Sequence, residues 1–170
     1  MGALGLVALV ALPGAASASS KQVVNVYTGR QVMASGVTLA IAVTKVQPLA
    51  KFPISVPTFL PSGLIALQVN VTPRIVGISS GSVVLSFGGV HGGFVLQETL
   101  SSIAHVGGTS VKQVRVNGRP AVLREFKGTG EDLLMLTGAL ANGVHYDLTT
   151  NAVESMLTAS TVEKIAASLK

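Results

Sequence analysis

The chain has 170 residues, 48% of them hydrophobic and only 11% charged, with no cysteine, no tryptophan and a formal net charge of +5. That length holds one domain with its own core, and that much apolar content excludes a disordered chain. The absence of cysteine excludes a disulfide framework, a thiolate nucleophile, a Cys-ligated zinc and a lipid-modified cysteine.

Residues 1–18 read as an export signal. Leu4 to Leu12 is apolar apart from Gly5, Pro13-Gly14 breaks the run, and Ala16-Ser17-Ala18 matches a small-x-small cleavage site. No Lys or Arg precedes Lys21, so the positive lead of a typical signal is missing. The alternative is a truncated membrane segment, although a span needs about 20 apolar residues. The signal reading implies an extracytoplasmic chain, secreted or envelope-associated.

Residues 19–43 form a lead-in. Val23-Val24-Asn25-Val26-Tyr27 is a short strand or a linker, and Val37, Leu39, Ile41 and Val43 alternate as a strand would. A single domain then occupies 44–170. Thr44 is placed to cap a short helix over Lys45–Lys51, with Pro48 near its first turn. Phe52–Gly63 carries Pro53, Pro57 and Pro61 among the apolar residues Phe52, Ile54, Val56, Phe59 and Leu60. Proline cannot donate to a ladder, so this stretch is expected as a rigid extended segment laid on the core, leading into a strand near Leu64.

Seven short β patterns follow. Leu64–Thr72 sets Leu67, Val69 and Val71 against Gln68, Asn70 and Thr72. Ser82–Phe87 and Phe94–Leu100 flank the glycine-rich Gly88–Gly93, a flexible hairpin loop. Val111–Val116 and Pro120–Phe126 flank Asn117-Gly118, a strong hairpin signal. Asp132–Thr137 and Val144–Thr149 complete the set. At the end, Asn151–Glu154 and Ser160–Glu163 have capping-box patterns. Val162, Ile165, Ala166 and Leu169 then make one helix face, and Val153, Met156 and Leu157 a shorter stripe. The expected fold is α+β: an antiparallel β-meander of about six to seven strands with a C-terminal amphipathic helix packed on one face.

Phe52-Pro53-Ile54 followed by Val56–Gly63 resembles the opening of the bacterial family catalogued as domain of unknown function 4367. Val116–Ala121, Gly143–Leu148 and Glu163–Leu169 are similar to that family's central hairpin, late strand and closing helix, so the resemblance covers roughly residues 44–170. The family often has a Trp in the penultimate strand, where Met135-Leu136-Thr137 has none. The resemblance implies an extracytoplasmic bacterial domain, tethered to the envelope or belonging to regulators resembling anti-sigma factors. It supplies no catalytic residues.

Chemistry is sparse. His91, His105 and His145 lack metal-ligand spacing, so no metal or other cofactor is expected. His145 and Asp147 alternate onto one strand face, which allows one imidazole–carboxylate pair. No Gly-x-Ser-x-Gly occurs, and Gly77-Ile-Ser-Ser-Gly81 has the wrong spacing. Glu131 and Asp132 are adjacent and would face opposite sides of a strand. Gly88–Gly93 lacks the Lys-Ser/Thr of a phosphate loop.

Lys112, Arg115, Arg119, Arg124 and Lys127 form a candidate patch for an anionic wall or lipid surface. Nucleic acid is not an expected partner, because two Tyr and five Phe give few stacking platforms. Arg124 stands out by sharing a strand face with Val122 and Phe126. Its stem can cover the core while its head reaches water, or it can anchor an anion in a groove. The functional expectation is a noncatalytic envelope domain for protein interaction or regulation. The alternatives are a carrier or sensor of an apolar ligand such as lipid and, third, a serine hydrolase.

Overall fold

In a computed structural model the chain forms nine strands and two helices, described for residues 24–73, 81–90, 92–103, 105, 107–128, 132–151 and 157–170. The export-signal reading of 1–18 lies outside these described residues. So do Val23, most of Gly77–Gly81, His91, Glu131 and the stripe residues Val153 and Met156. The elements are β1 (Val24–Thr28), β2 (Gln31–Val37), α1 (Leu39–Ala50), β3 (Ile65–Thr72), β4 (Ser82–Gly89), β5 (Gly92–Thr99), β6 (Ser110–Val116), β7 (Arg119–Lys127), β8 (Asp132–Ala139), β9 (His145–Asn151) and α2 (Ala159–Ala167). They build one open sheet in the order β2-β1-β3-β4-β5-β9-β8-β7-β6. No helix among the described residues is long and apolar enough to cross a membrane.

Strand alternation produces a single apolar row across this sheet. Val26, Val69, Leu85, Leu96, Leu148, Leu136 and Leu123 stand opposite one another on seven consecutive strands. All seven are buried, and each such side chain stabilises the fold by about 1.5–3 kcal/mol through burial alone. The row stops at the edge strand β6, where Lys112 faces Leu123. Alpha-helical cover comes from α1 over β1 and β3 and from α2 over β8 and β6. Ala42, Val46 and Ala50 of α1 and Val162, Ile165 and Ala166 of α2 are buried there.

The expected meander is corrected in two ways. All seven anticipated strands are present, but β1 and β2 extend the sheet to nine, and β1 runs parallel to β3, so the sheet is mixed. The meander also breaks once: β5 pairs with β9 instead of β6. The β5–β6 connection therefore crosses three strands. It does so on the face without helices, where His105 meets Asp147 and Gly108 lies over Arg124.

Local corrections have local causes. Leu39, Ile41 and Val43 lie in a helix, not a strand. Thr38 caps it by accepting from Ile41 N at 3.4 Å, and the stripe Ala42-Val46-Ala50 packs on the sheet. Pro48 falls in the last turn of α1 on its exposed side, where the carbonyl it leaves unpaired lies towards water. A bulge between Ala66 and Gln68 turns Leu67 out of the core and Ala66 in. The glycine-rich Gly88–Gly93 is mostly strand, since Gly88 pairs with Gly93 and Gly89 with Gly92. A Cβ on Gly89 would run into the Gly63 carbonyl, so glycine is what lets the proline segment close on β4. Helix α2 is capped by Thr158, two residues before the anticipated Ser160. Leu157 before the cap and Val162 after it fit a hydrophobic staple.

Phe52–Gly63 runs extended, as expected. It pairs with the last residues of the chain: Val56 N donates to Lys170 O at 3.0 Å, and Thr58 N donates to Ser168 O at 3.1 Å. Phe52 and Ile54 are buried, but Phe59 is exposed.

Candidate functional site

The five basic residues do not make one patch. Strand pairing in β6 and β7 is regular, so side chains alternate between faces without interruption. Lys112, Arg119 and Lys127 share the face that carries Leu123 and the helices. Arg115 and Arg124 share the opposite face. Lys127 lies 3.9 Å from Glu125, and Arg115 Nη1 donates to Gly118 O at 2.8 Å, closing the β6–β7 turn on itself. Arg124 is half-buried beneath the β5–β6 connection, with its Nε shielded and without a hydrogen-bond partner among the described residues. It lies on β7, one strand in from the edge.

Beside Arg124 the helix-free face carries a small polar cluster. Asp147 is buried; its Oδ1 accepts from Thr149 Oγ1 at 2.9 Å, and its Oδ2 meets His105 Nε2. Thr137 stands opposite Asp147, with its hydroxyl buried and unpaired among the described residues. The sequence suggested His145 as the imidazole partner of Asp147. His145 does lie on that face, but His105, from the crossing connection, makes the contact. Nothing local to His105 in the sequence signals this, because the pairing depends on where the connection crosses.

The helix-bearing face hides a second carboxylate that the sequence reading missed. Glu98 is 0% exposed, in register between Val83 and Tyr146. Both of its oxygens accept from Ser55 N, at 3.3 and 3.0 Å. Burial pushes its carboxyl up to about 7, against the opposing pull of the Ser55 hydrogen bonds. The segment's pairing with residues 168–170 runs through Val56 and Thr58, so the buried Ser55 N–H needs another acceptor, and Glu98 supplies it. The signal was available: Phe94, Leu96 and Glu98 alternate on one face of β5.

Where the β6–β7 turn, the β8–β9 turn and residues 169–170 meet, a cleft of about 500 Å³ opens. Tyr146, Val116 and Leu169 give it an apolar floor, and Arg119, Lys170 and Asn142 reach its rim. Burial pushes the Tyr146 phenol up to about 12. A second opening of about 290 Å³ lies between the far end of β7–β8 and the start of α2. Neither opening is lined by residues of α1.

For nucleophilic hydrolysis a hydroxyl must hydrogen-bond the imidazole, with the carboxylate behind it. Here the Thr149 hydroxyl is bound to the carboxylate, on the wrong side of the pair. Among the described residues no three His, Asp or Glu side chains cluster to hold a metal. Compared with known proteins, the chain matches no family model, no curated protein and no solved structure.

Proposed function

We propose that this chain is a noncatalytic, extracytoplasmic domain that works by binding another protein through the helix-free face of its sheet. One observation carries the reading. Both helices pack on one face, while the other keeps Ile65, Leu67, Val95 and Val111 at 43%, 45%, 40% and 55% exposure. Ile65, Leu67 and Val95 lie within two strands of one another across β3–β5, with Val111 at the far edge on β6, and a contiguous apolar area of this kind marks an interaction surface. A partner that brings its own apolar surface to β3–β5 complements it. The placement of Thr149 on the carboxylate, away from the imidazole, supports a binding role over hydrolysis. The signal pattern of residues 1–18 supports the location.

The test uses the double variant Leu67→Asp, Val95→Asp, with Ile41→Asp on the exposed side of α1 as control. Each is immobilised and exposed to detergent-solubilised envelope proteins, after circular dichroism shows that it is folded. A partner held by the wild type and the α1 variant but released by the double variant supports the reading. Equal retention by all three overturns it. Mass spectrometry of the native protein showing a start at Ser19 supports export; an intact 1–18 counts against it.

A further inference from the structure

The cleft at the turn end of the sheet is a separate feature from the helix-free face, and its chemistry is specific. Arg119 is the first residue of β7 and points to the helix-bearing side, into the cleft. No acidic side chain lines the cleft, and no acid pairs with Arg119 among the described residues. Its guanidinium therefore offers a planar, permanently charged fork with nothing to bind.

Below it the lining is apolar: Val116, Leu140 and Leu169 form the floor and wall over the buried Tyr146. At the rim, Asn142 Oδ1 already accepts from Val144 N at 3.1 Å, which leaves its Nδ2 as a donor. The C-terminal carbonyls of α2 nearby would repel an anion, but they are occupied. Asn117 Nδ2 donates to Ala167 O at 2.9 Å, and Thr58 N and Oγ1 donate to Ser168 O. The same Asn117 contact docks the hairpin on the helix, and Asn117 and Gly118 hold the turn with φ of 50° and 77°. The cleft is thus shaped before any ligand arrives, which lowers the entropy lost on binding. Its volume lies within the range of small-molecule sites.

We propose that this cleft binds a small amphiphile with a single oxyanion head, a carboxylate or a phosphate ester, and a short aliphatic body. Arg119 and the Asn142 amide hold the head, and the aliphatic body lies along Val116, Leu140 and Leu169.

Backbone amide NMR titrations with octanoate, octyl phosphate and neutral octanol test this. Both anions are expected to give saturable shifts confined to Asn117–Arg119 and Leu140–Val144, with octanol at least about tenfold weaker. The ratio of the two anions tells carboxylate from phosphate recognition. Arg119→Gln, at an exposed position, is expected to weaken both anions by about tenfold or more, the loss that follows removal of one charged hydrogen-bond partner. Lys127→Gln, at the other end of the same strand face, is expected to leave them unchanged. Equal loss in the two variants would reduce the effect to general positive charge and overturn the site. So would binding indifferent to Arg119, or no saturable shift below the micelle-forming concentration. None of these outcomes bears on the helix-free face, whose residues are not in the cleft.

Discussion

Replacing Glu98 by glutamine isolates the one carboxyl that, among the described residues, is buried in the apolar core. In the wild type, folding moves this group from its ordinary value of 4.5 to about 7. The folded chain therefore holds the proton more tightly than the unfolded chain. Its contribution to stability is fully present below pH 4.5, declines as pH rises through 7, and is absent above. At 1.36 kcal/mol per pH unit, the gap amounts to about 3 kcal/mol. The side-chain amide of the Glu98→Gln variant keeps an oxygen for Ser55 N and carries no charge at any pH, so the difference between variant and wild type removes every other titrating group from the comparison. Urea unfolding at several pH values is the assay. The variant should match the wild type within about 1 kcal/mol at pH 4 and exceed it by up to about 3 kcal/mol at pH 8, which for a chain this long corresponds to roughly 6–12 °C in Tm. A difference that stays flat from pH 4 to 8 would refute the argument, because it would mean that Glu98 ionises in the folded chain as it does in water.

Three further outcomes follow from contacts described above. Asp147→Asn removes the charge that His105 and the Thr149 hydroxyl both face; it should cost about 1–3 kcal/mol and speed amide hydrogen exchange between Thr99 and Ser110, and unchanged exchange there would show that the pair does not hold the connection down. Leu96→Ala, at the fully buried centre of the apolar row, should cost about 2–5 kcal/mol in chemical unfolding. Gly89→Ala drives a methyl into the Gly63 carbonyl and should cost about 1–3 kcal/mol by calorimetry, with a neutral result showing that the proline segment shifts freely away from β4.

The seven strands from β3 to β9 were legible because their apolar residues alternate, as Val83, Leu85 and Phe87 do. The helix stripe of Val162, Ile165 and Ala166 was legible for the same reason at a different period. β2 was not: Gln31–Val37 is exposed or half-exposed throughout, so no burial pattern marks it. α1 was misread because Leu39, Ile41 and Val43 fit a period of two, while the residues that decide the matter, Ala42 and Ala50, are small and carry little hydropathic signal. The pairing of β5 with β9 joins strands with residues 100–144 between them, and no local signal encodes it. The same holds at the candidate sites. Alternation sorts the five cations onto two faces once the strands are known, whereas His105 against Asp147 and Arg119 beside Leu169 exist only through tertiary packing.

The sheet joins its two halves through the β5–β9 ladder, and β9 is the last of the described strands. As the chain emerges during synthesis, β4 and β5 can pair at once, but the outer edge of β5 waits for residues 145–151. In that interval the edge offers unpaired N–H and C=O groups beside Phe94 and Leu96, a template for pairing with another molecule. An identical β9 from a second copy fits this edge as well as the chain's own. Exchange of the β6–α2 half between two chains, with the β5–β6 connection as the crossover, is the misassembly to which this topology is most exposed.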